Sequence, residues 1–382
     1  MKKIQVEGVK DILSWCNNPE DGAIAQASNL SRLPFLVGHV ALMPDTHQGY
    51  GMPIGGVIAC HGVVIPNAVG VDIGCGMCAV ESSSESIDID ILKAILGDIR
   101  KAVPVGFGHN ATAQLGMPER NCAMHVVDEQ YESATKQLGT LGGGNHFIEI
   151  QRSKTRVWVM LHSGSRNIGL KVAKYYNIVA DELNRKWHST VPEEHELAFL
   201  PLDSEQGKAY LSEMEYCLRF ALANRQLMLA RIIDIMTKHT GCSFGQVINI
   251  HHNYARLESH FGRNVMTHRK GATSARAGEM GIIPGSQGTA SYIVRGKGNK
   301  ASMESCSHGA GRRMGRKEAC RVLNLATEQK RLDDLGILHA VRGKDDLEEA
   351  AGAYKDIATV MEEQSDLVEI VEELHPLAVV KG

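Results

Sequence analysis

No apolar run in the 382 residues reaches the roughly 18 positions that a membrane span requires, so nothing reads as a transmembrane segment. The opening Met-Lys-Lys, followed by Ile4, Gln5, Val6 and Glu7, lacks the apolar centre of a secretory leader. The nine cysteines, an odd number, are therefore expected in a reducing cytoplasm, as metal ligands, reactive thiols or core fillers rather than disulfides. Internal repeats and low-complexity linkers are also missing, which favours one continuous catalytic domain over residues 1–382. Net charge is small, −3 from 41 basic and 44 acidic side chains, and this argues against a protein that coats nucleic acid generally. A local basic groove remains open.

Glycine is plentiful, at 39 residues, against a usual share of about 7%. So many glycines suggest loops that approach a ligand closely, because a Cβ would clash there. Charge is unevenly spread. Arg295 to Arg331 carries ten Lys or Arg against three Glu, and from Val341 onward eleven acids face four bases. A basic stretch gains meaning only if it surrounds chemistry.

Hydrophobic spacing predicts a strand pair over 55–65 about Cys60, His61 and Gly62, with a strand-like segment from Val63 to Val71. It predicts a helix over Ser86–Lys101 and a strand over Val157–Leu161. Ser204 is placed to cap a long proline-free helix from Glu205 to His239 that ends at Gly241. Gln246–Ile250 and Tyr292–Val294 read as further strands. Without a regular βαβ rhythm, the expectation is an α+β fold, one large domain of mixed sheets with surrounding helices. His162, His251 and His252 each follow a predicted strand, where ligands are commonly bound.

The chemistry-bearing residues lie in glycine-rich turns. Val69-Gly-Val-Asp-Ile-Gly-Cys-Gly-Met77 lets the Asp72 carboxylate and the Cys75 thiolate converge on one point. Leu141-Gly-Gly-Gly-Asn-His-Phe-Ile-Glu149 offers backbone N–H groups to phosphate, without the Gly-Lys-Ser/Thr of common NTPase loops. Leu161-His-Ser-Gly-Ser-Arg166 and Ile250-His-His-Asn253 add histidines. Together Asp72, Cys75, His146, His162 and one of His251 or His252 supply oxygen, sulfur and nitrogen donors. A bridging thiolate would let five such ligands hold two metal ions with coordination positions left open, as catalysis requires. Ligand softness points to Zn²⁺ first and Mn²⁺ second. Finally, Ser305-Cys-Ser-His-Gly-Ala-Gly-Arg-Arg-Met-Gly-Arg316 sets His308, a candidate nucleophile, beside arginines suited to a transferring phosphoryl group.

With these segments in view the sequence resembles the RtcB family of 3′-phosphate/5′-hydroxyl RNA ligases, nearly end to end, from Met43-Pro-Asp-Thr-His-Gln-Gly49 to Val380-Lys-Gly382. The resemblance implies that His308 is guanylylated by GTP. It implies two Mn²⁺ ions, one on Asp72, Cys75 and His146, the other on Cys75, His162 and His252, replacing zinc as the expected metal. It implies that Asn145, His252 and Asn253 lie against phosphates or metals. His146, Phe147 and Ile148, then Pro284, Gly285, Ser286, Gln287 and Ser291, and His308, Gly309, Ala310, Gly311 and Arg312 are expected along the nucleotide site. Glu149 and Lys381 would read the guanine edge, and Tyr354 would stack on the base. RNA with a 3′-phosphate or 2′,3′-cyclic phosphate end and a 5′-hydroxyl end is the implied substrate, in RNA repair or tRNA splicing. Archease is carried as a candidate protein partner. Gln287 and Gly315 depart from the family's usual Met and Ser, and Tyr50 from a basic residue, which suggests a divergent branch devoted to a particular damaged RNA. Two rival readings are a metal-dependent RNA-end phosphodiesterase without ligation and a non-catalytic RNA-binding protein. Neither needs His308 with a guanine pocket.

Overall fold

The structure, a computed structural model, describes residues 1–5, 10–120 and 123–381, so Val6, Glu7 and Gly382 of the stretches quoted above fall outside it. The expected α+β arrangement forms, with mixed sheets and eight α-helices among the described residues. One sheet has six strands in the order Lys2–Ile4, Ile12–Ser14, Leu36–His47, Ile54–Cys60, Arg263–Lys270 and Asn253–His260. A second has seven, in the order Ile248–His251, Gly76–Glu81, Val157–Ser163, Phe147–Arg152, Val368–Lys381, Ser291–Gly296 and Met280–Ile283. The outer strands of this second sheet approach one another, so it curls around an apolar interior that includes Met77, Phe147, Trp158, Met160, Ile293 and Leu374. Alternate residues point the other way, as the period of a strand dictates. Cys78, Val80, Ile148, Ile150, Val159 and Leu161 pack on Ile95 and Ile99 of the helix Ile89–Ala102 and on Met228, Ile232 and Met236 of a longer helix.

That longer helix, Glu205–Thr240, is the spine of the site. Ser204 caps it, its side chain accepting from Gly207 N–H, and Gly241 ends it in the left-handed conformation at φ +69°. The helix Ile89–Ala102 starts three residues later than Ser86 because the Asp88 carboxylate takes the Asp90 N–H as a cap.

Two expectations are corrected. The strands about His61 form but do not pair with each other. Ile54–Cys60 has both edges taken, by Leu36–His47 and Arg263–Lys270, and Val63–Val64 pairs instead with Leu200–Pro201. The strand-like segment to Val71 stops at Val64, since Pro66 has no N–H for a ladder and begins a 3₁₀ turn over Pro66–Ala68.

The six-stranded sheet also anchors the chain that leads to His308. Buried Arg269 forks onto Glu258 with two bonds of 2.9 Å and donates to Met303 O and Ser305 Oγ, each at 2.9 Å. Burial alone would raise the Glu258 carboxyl, but Arg269, His260 and Arg276 hold it at about 2. A carboxyl lowered on folding stabilises fully above its unfolded value and loses that contribution as pH falls through the folded one. Glu258→Gln should therefore destabilise by about 3–5 kcal/mol at neutral pH, because it strands a buried guanidinium. The deficit should shrink as pH falls from about 4.5 toward about 2. Urea unfolding of both proteins at a series of pH values checks this; a pH-independent deficit would refute it.

Candidate active site and metal centre

The two sheets meet where the ligand turns emerge. The chain crosses between them at His252, with His251 ending a strand of the curled sheet and Asn253 starting one of the six-stranded sheet. His162 lies near the end of Val157–Ser163, and Asp72 and Cys75 sit in the turn before Gly76–Glu81, with Cys75 N–H donating to Asp72 O at 3.1 Å. Close approach makes two glycines obligatory here. A Cβ on Gly164 would lie 2.2 Å from Asp72 Oδ1, and Gly74 adopts φ +75° against the long helix, where a Cβ would lie 3.2 Å from Leu218 Cα.

These turns bring five side chains into two triplets that share Cys75, one with Asp72 and His146, the other with His162 and His252, with each triplet's candidate atoms within 4.8 Å of one another. Cys75 Sγ is 3.2 Å from His162 Nε2 and 3.5 Å from His146 Nε2. His146 Nε2 is 3.1 Å from Asp72 Oδ2, and His162 Nε2 is 3.3 Å from His252 Nε2. Both outer ring nitrogens are turned onto backbone carbonyls. His146 Nδ1 donates to Leu141 O at 2.9 Å and His162 Nδ1 to Asn145 O at 3.0 Å, which leaves both Nε2 lone pairs facing inward. Burial holds His162 and His252 well below the ordinary imidazole range, so both stay neutral and ready to ligate. Burial and the Asp72 carboxylate push the Cys75 thiol well up, and only a cation in this pocket would make it a thiolate. The donor set and its inward lone pairs fit a pair of metal ions.

Rigidity comes from two buried residues on the spine helix that no sequence pattern had marked. Arg225 Nη1 donates to Gly74 O at 2.9 Å and Ser163 O at 2.8 Å, and its Nε donates to Asn249 Oδ1 at 2.7 Å. Asn224 Oδ1 accepts from Gly139 N–H at 2.7 Å and Thr140 N–H at 3.1 Å, while its Nδ2 donates to Thr140 O, Ser163 Oγ and Gly164 O. Together they clamp three of the ligand-bearing loops. His251 Nδ1 lies 2.9 Å from Gly74 O and 3.2 Å from Arg225 Nη2, so of the two adjacent histidines His252 joins the metal-type cluster and His251 the scaffold.

His308 follows the short strand Ser305–Ser307, its ring centroid 4.8 Å from that of His252. Asp45, fully buried and also unmarked by spacing, accepts from His308 Nδ1–H at 2.5 Å and from the backbone N–H of His308 at 3.1 Å and of Gly309 at 3.3 Å. Burial would raise the Asp45 carboxyl, but attraction to His308 and the hydrogen bond with it hold it below the ordinary range. The pairing fixes the Nδ1–H tautomer and leaves Nε2 with a free lone pair. Nε2 has no hydrogen-bond partner among the described residues.

The remaining expected positions trace a path away from the two triplets. Phe147 edges onto His162 with centroids 5.7 Å apart, and Glu149 lies buried two residues on. Ile148 between them sends its side chain to the opposite face, among the helices. Pro284, Gly285, Ser286 and Gln287 lie against this path, and Ser291 Oγ accepts from Gly285 N–H at 3.1 Å. Glu349 is a buried hub for Arg312 at 3.3 Å, Arg316 at 3.1 Å, Lys381 at 3.8 Å and the Tyr354 hydroxyl. Gly309, Ala310 and Gly311 continue from His308, and a Cβ on Gly311 would lie 2.2 Å from Asp45 O. Asn253 is engaged in scaffolding, donating to Asp72 O at 3.1 Å and accepting from Gly271 N–H at 2.8 Å. The Asn145 carbonyl orients His162.

A family model described as tRNA-splicing ligase RtcB matches residues 26–124 and 111–382, nearly the whole chain. The chain belongs to the RtcB family. Among curated RtcB proteins, the RNA-splicing ligase RtcB of Escherichia coli K12 is 38% identical over 395 residues, covering 95% of each chain. The tRNA-splicing ligase RtcB of Nanoarchaeum equitans is 32% identical, over 95% of this chain and 92% of that one. The RNA-splicing ligase RtcB of Mycobacterium tuberculosis is 31% identical, over 94% of this chain and the full length of its own. RtcB membership makes the chain an RNA ligase. No helix of the described residues is long and apolar enough to cross a membrane.

Proposed function

We propose that this RNA ligase is dependent on GTP and Mn²⁺, and joins RNA 3′-phosphate or 2′,3′-cyclic phosphate ends to 5′-hydroxyl ends through a histidine–GMP intermediate, in RNA repair or tRNA splicing. The observation that carries this reading is the Asp45–His308 pair beside the two ligand triplets: an imidazole whose Nδ1 is held by a buried carboxylate and whose ring lies 4.8 Å, centroid to centroid, from that of His252. His308 Nε2 attacks the α-phosphorus of GTP and pyrophosphate leaves. A 2′,3′-cyclic phosphate is first opened by water, which breaks the 2′-O–P bond and gives the 3′-phosphate. The N–P bond then breaks as the RNA 3′-phosphate oxygen takes the GMP, and His308 returns to neutral imidazole. The 5′-hydroxyl oxygen attacks the activated 3′-phosphorus, and GMP departs as the 3′,5′-phosphodiester forms. Mn²⁺ ions on Asp72, Cys75 and His146 and on Cys75, His162 and His252 would neutralise charge on the transferring groups. Asp45 stabilises the positive charge that forms on His308 during its attack.

Incubation with Mn²⁺ and α-³²P-labelled GTP should leave acid-labile, alkali-stable label on His308, absent from His308→Ala. Zn²⁺ in place of Mn²⁺ should leave little. Cyclic-phosphate hydrolysis without label would favour the phosphodiesterase reading instead. A second expectation concerns pH. Burial pushes the Glu149 carboxyl up to about 7, against the Gln151 hydrogen bond and the Lys381 charge. If its carboxylate meets the guanine N1–H and N2–H₂ donors, KM for GTP should rise as pH falls through about 7. Measuring labelling against GTP concentration from about pH 6 to about pH 8 checks this, and a flat KM would remove Glu149 from that role.

A further inference from the structure

One fully buried amide beside the nucleotide path has no role in the scheme above. Gln151 lies two residues beyond Glu149 on Phe147–Arg152, so both side chains project from the same face. Its Nε2 donates to Glu149 Oε2 at 2.5 Å and to Ser291 Oγ at 3.1 Å. Ser291 is on a strand that is not a neighbour. Val368–Lys381 lies between, so the amide spans the inside of the curled sheet. Ser291 Oγ in turn accepts from Gly285 N–H, at the head of the Pro284–Gln287 loop. The other end of the amide is idle: Gln151 Oε1 has no partner among the described residues, nor does the indole Nε1 of Trp158, its cross-strand neighbour.

A buried amide kept for stability alone would be expected to satisfy both ends. Here the acceptor is left unmade while the donor end is committed to a carboxylate and to the loop beyond it. The terminal torsion of a glutamate is broad and has no sharp rotamer of its own, so an unanchored carboxylate would sample many orientations. Two-point recognition of a planar base edge needs one of them.

We propose that Gln151 is a positioning residue for guanine recognition: its amide N–H groups fix the Glu149 carboxylate in the plane of the guanine N1–H and N2–H₂ donors and tie it, through Ser291, to the Pro284–Gln287 loop. This rests on the reading that Glu149 meets the guanine edge. The hydrogen bond also works against burial to keep that carboxylate ionised. ATP presents no donor at N1 and no 2-amino group. ITP keeps the N1–H and lacks only the 2-amino group, so preference for GTP over ITP reports the second contact alone.

The test is self-nucleotidylation of the full-length, Mn²⁺-loaded protein with GTP and ITP, for wild type, Gln151→Met and Glu149→Gln. Methionine keeps the volume and removes the donors. Gln151→Met should raise KM for GTP about tenfold, the order of one charged hydrogen bond, with kcat at saturation within about twofold. The preference for GTP over ITP should narrow. If Glu149→Gln abolishes that preference while Gln151→Met keeps wild-type KM and preference, the proposal fails alone. If Glu149→Gln leaves the preference intact, the guanine reading fails and takes the proposal with it. Should Gln151→Met not fold, Gln151→Glu sets a second carboxylate against Glu149. KM for GTP should then improve as pH falls and the pair takes up a proton, a slope opposite to wild type; a wild-type slope overturns the proposal.

Discussion

Asp45→Asn should slow GMP transfer to His308 by about 10³–10⁴, the order seen when the carboxylate of a hydrolase triad becomes an amide. The geometry makes the reason specific. Asp45 Oδ2 takes three donors at once, the His308 ring at 2.5 Å and two backbone N–H groups. An asparagine that keeps its oxygen at this point still accepts from the ring but removes the negative charge that would offset the imidazolium formed in the attack, with its NH₂ left in the partnerless place of Oδ1. One that turns its NH₂ to this point opposes both backbone N–H groups and selects the other tautomer. That moves the proton to Nε2 and removes the lone pair that must attack phosphorus. The fold should survive, because the shape is unchanged. Single-turnover labelling with α-³²P-GTP measures the rate, and melting temperature checks the fold. A rate within tenfold of wild type in a folded variant would show that the tautomer is not set by Asp45.

The loss expected for Cys75→Ala is larger still in scope, since it strikes both halves of the metal-type centre. Removing a group that only orients a ligand commonly costs about 10–100-fold in metal affinity or activity. Cys75 is common to both triplets, so its loss should exceed a hundredfold and leave neither set with three donors. Metal content after dialysis should fall from the wild-type level toward none, and labelling should become undetectable. Cys78 supplies a matched control. It is a buried cysteine three residues on whose side chain packs among apolar groups facing the helices. Cys78→Ala should cost stability and leave metal content alone. A Cys75→Ala protein that retains the wild-type metal content would refute the shared-ligand arrangement.

Much of the centre was legible in the sequence, because its ligands sit at ends of strands that announce themselves locally. Val157–Leu161 runs into His162 by hydrophobic pattern alone, and the glycines around Asp72 and Cys75 mark a turn of close approach. Choosing between His251 and His252 by residue pattern alone was not possible, since the decision depends on where the chain leaves one sheet for the other, which it does at His252. Asp45 was invisible for a different reason. Its partner lies 263 residues away, and an acid in a strand looks the same whether solvated or locked to a histidine. Asn224 and Arg225 are polar residues on a long helix, where pattern suggests a wetted face, yet both are fully buried beneath the turns they hold. Pairing partners failed in the same way at residues 55–65, because register is a property of distant strands.

The place of Val368–Lys381 has a consequence for how the protein comes into being. That strand lies inside the curled sheet, between Phe147–Arg152 and Ser291–Gly296. Until it has left the ribosome, both neighbours are exposed edges, and Glu149 has neither its strand partner Val379 nor the charge of Lys381. Completion of the sheet around Glu149 thus waits for residues 368–381, and depends on contacts between residues far apart in the chain. A message cut upstream of this strand would yield a polypeptide with two open edges and without the strand that borders Glu149.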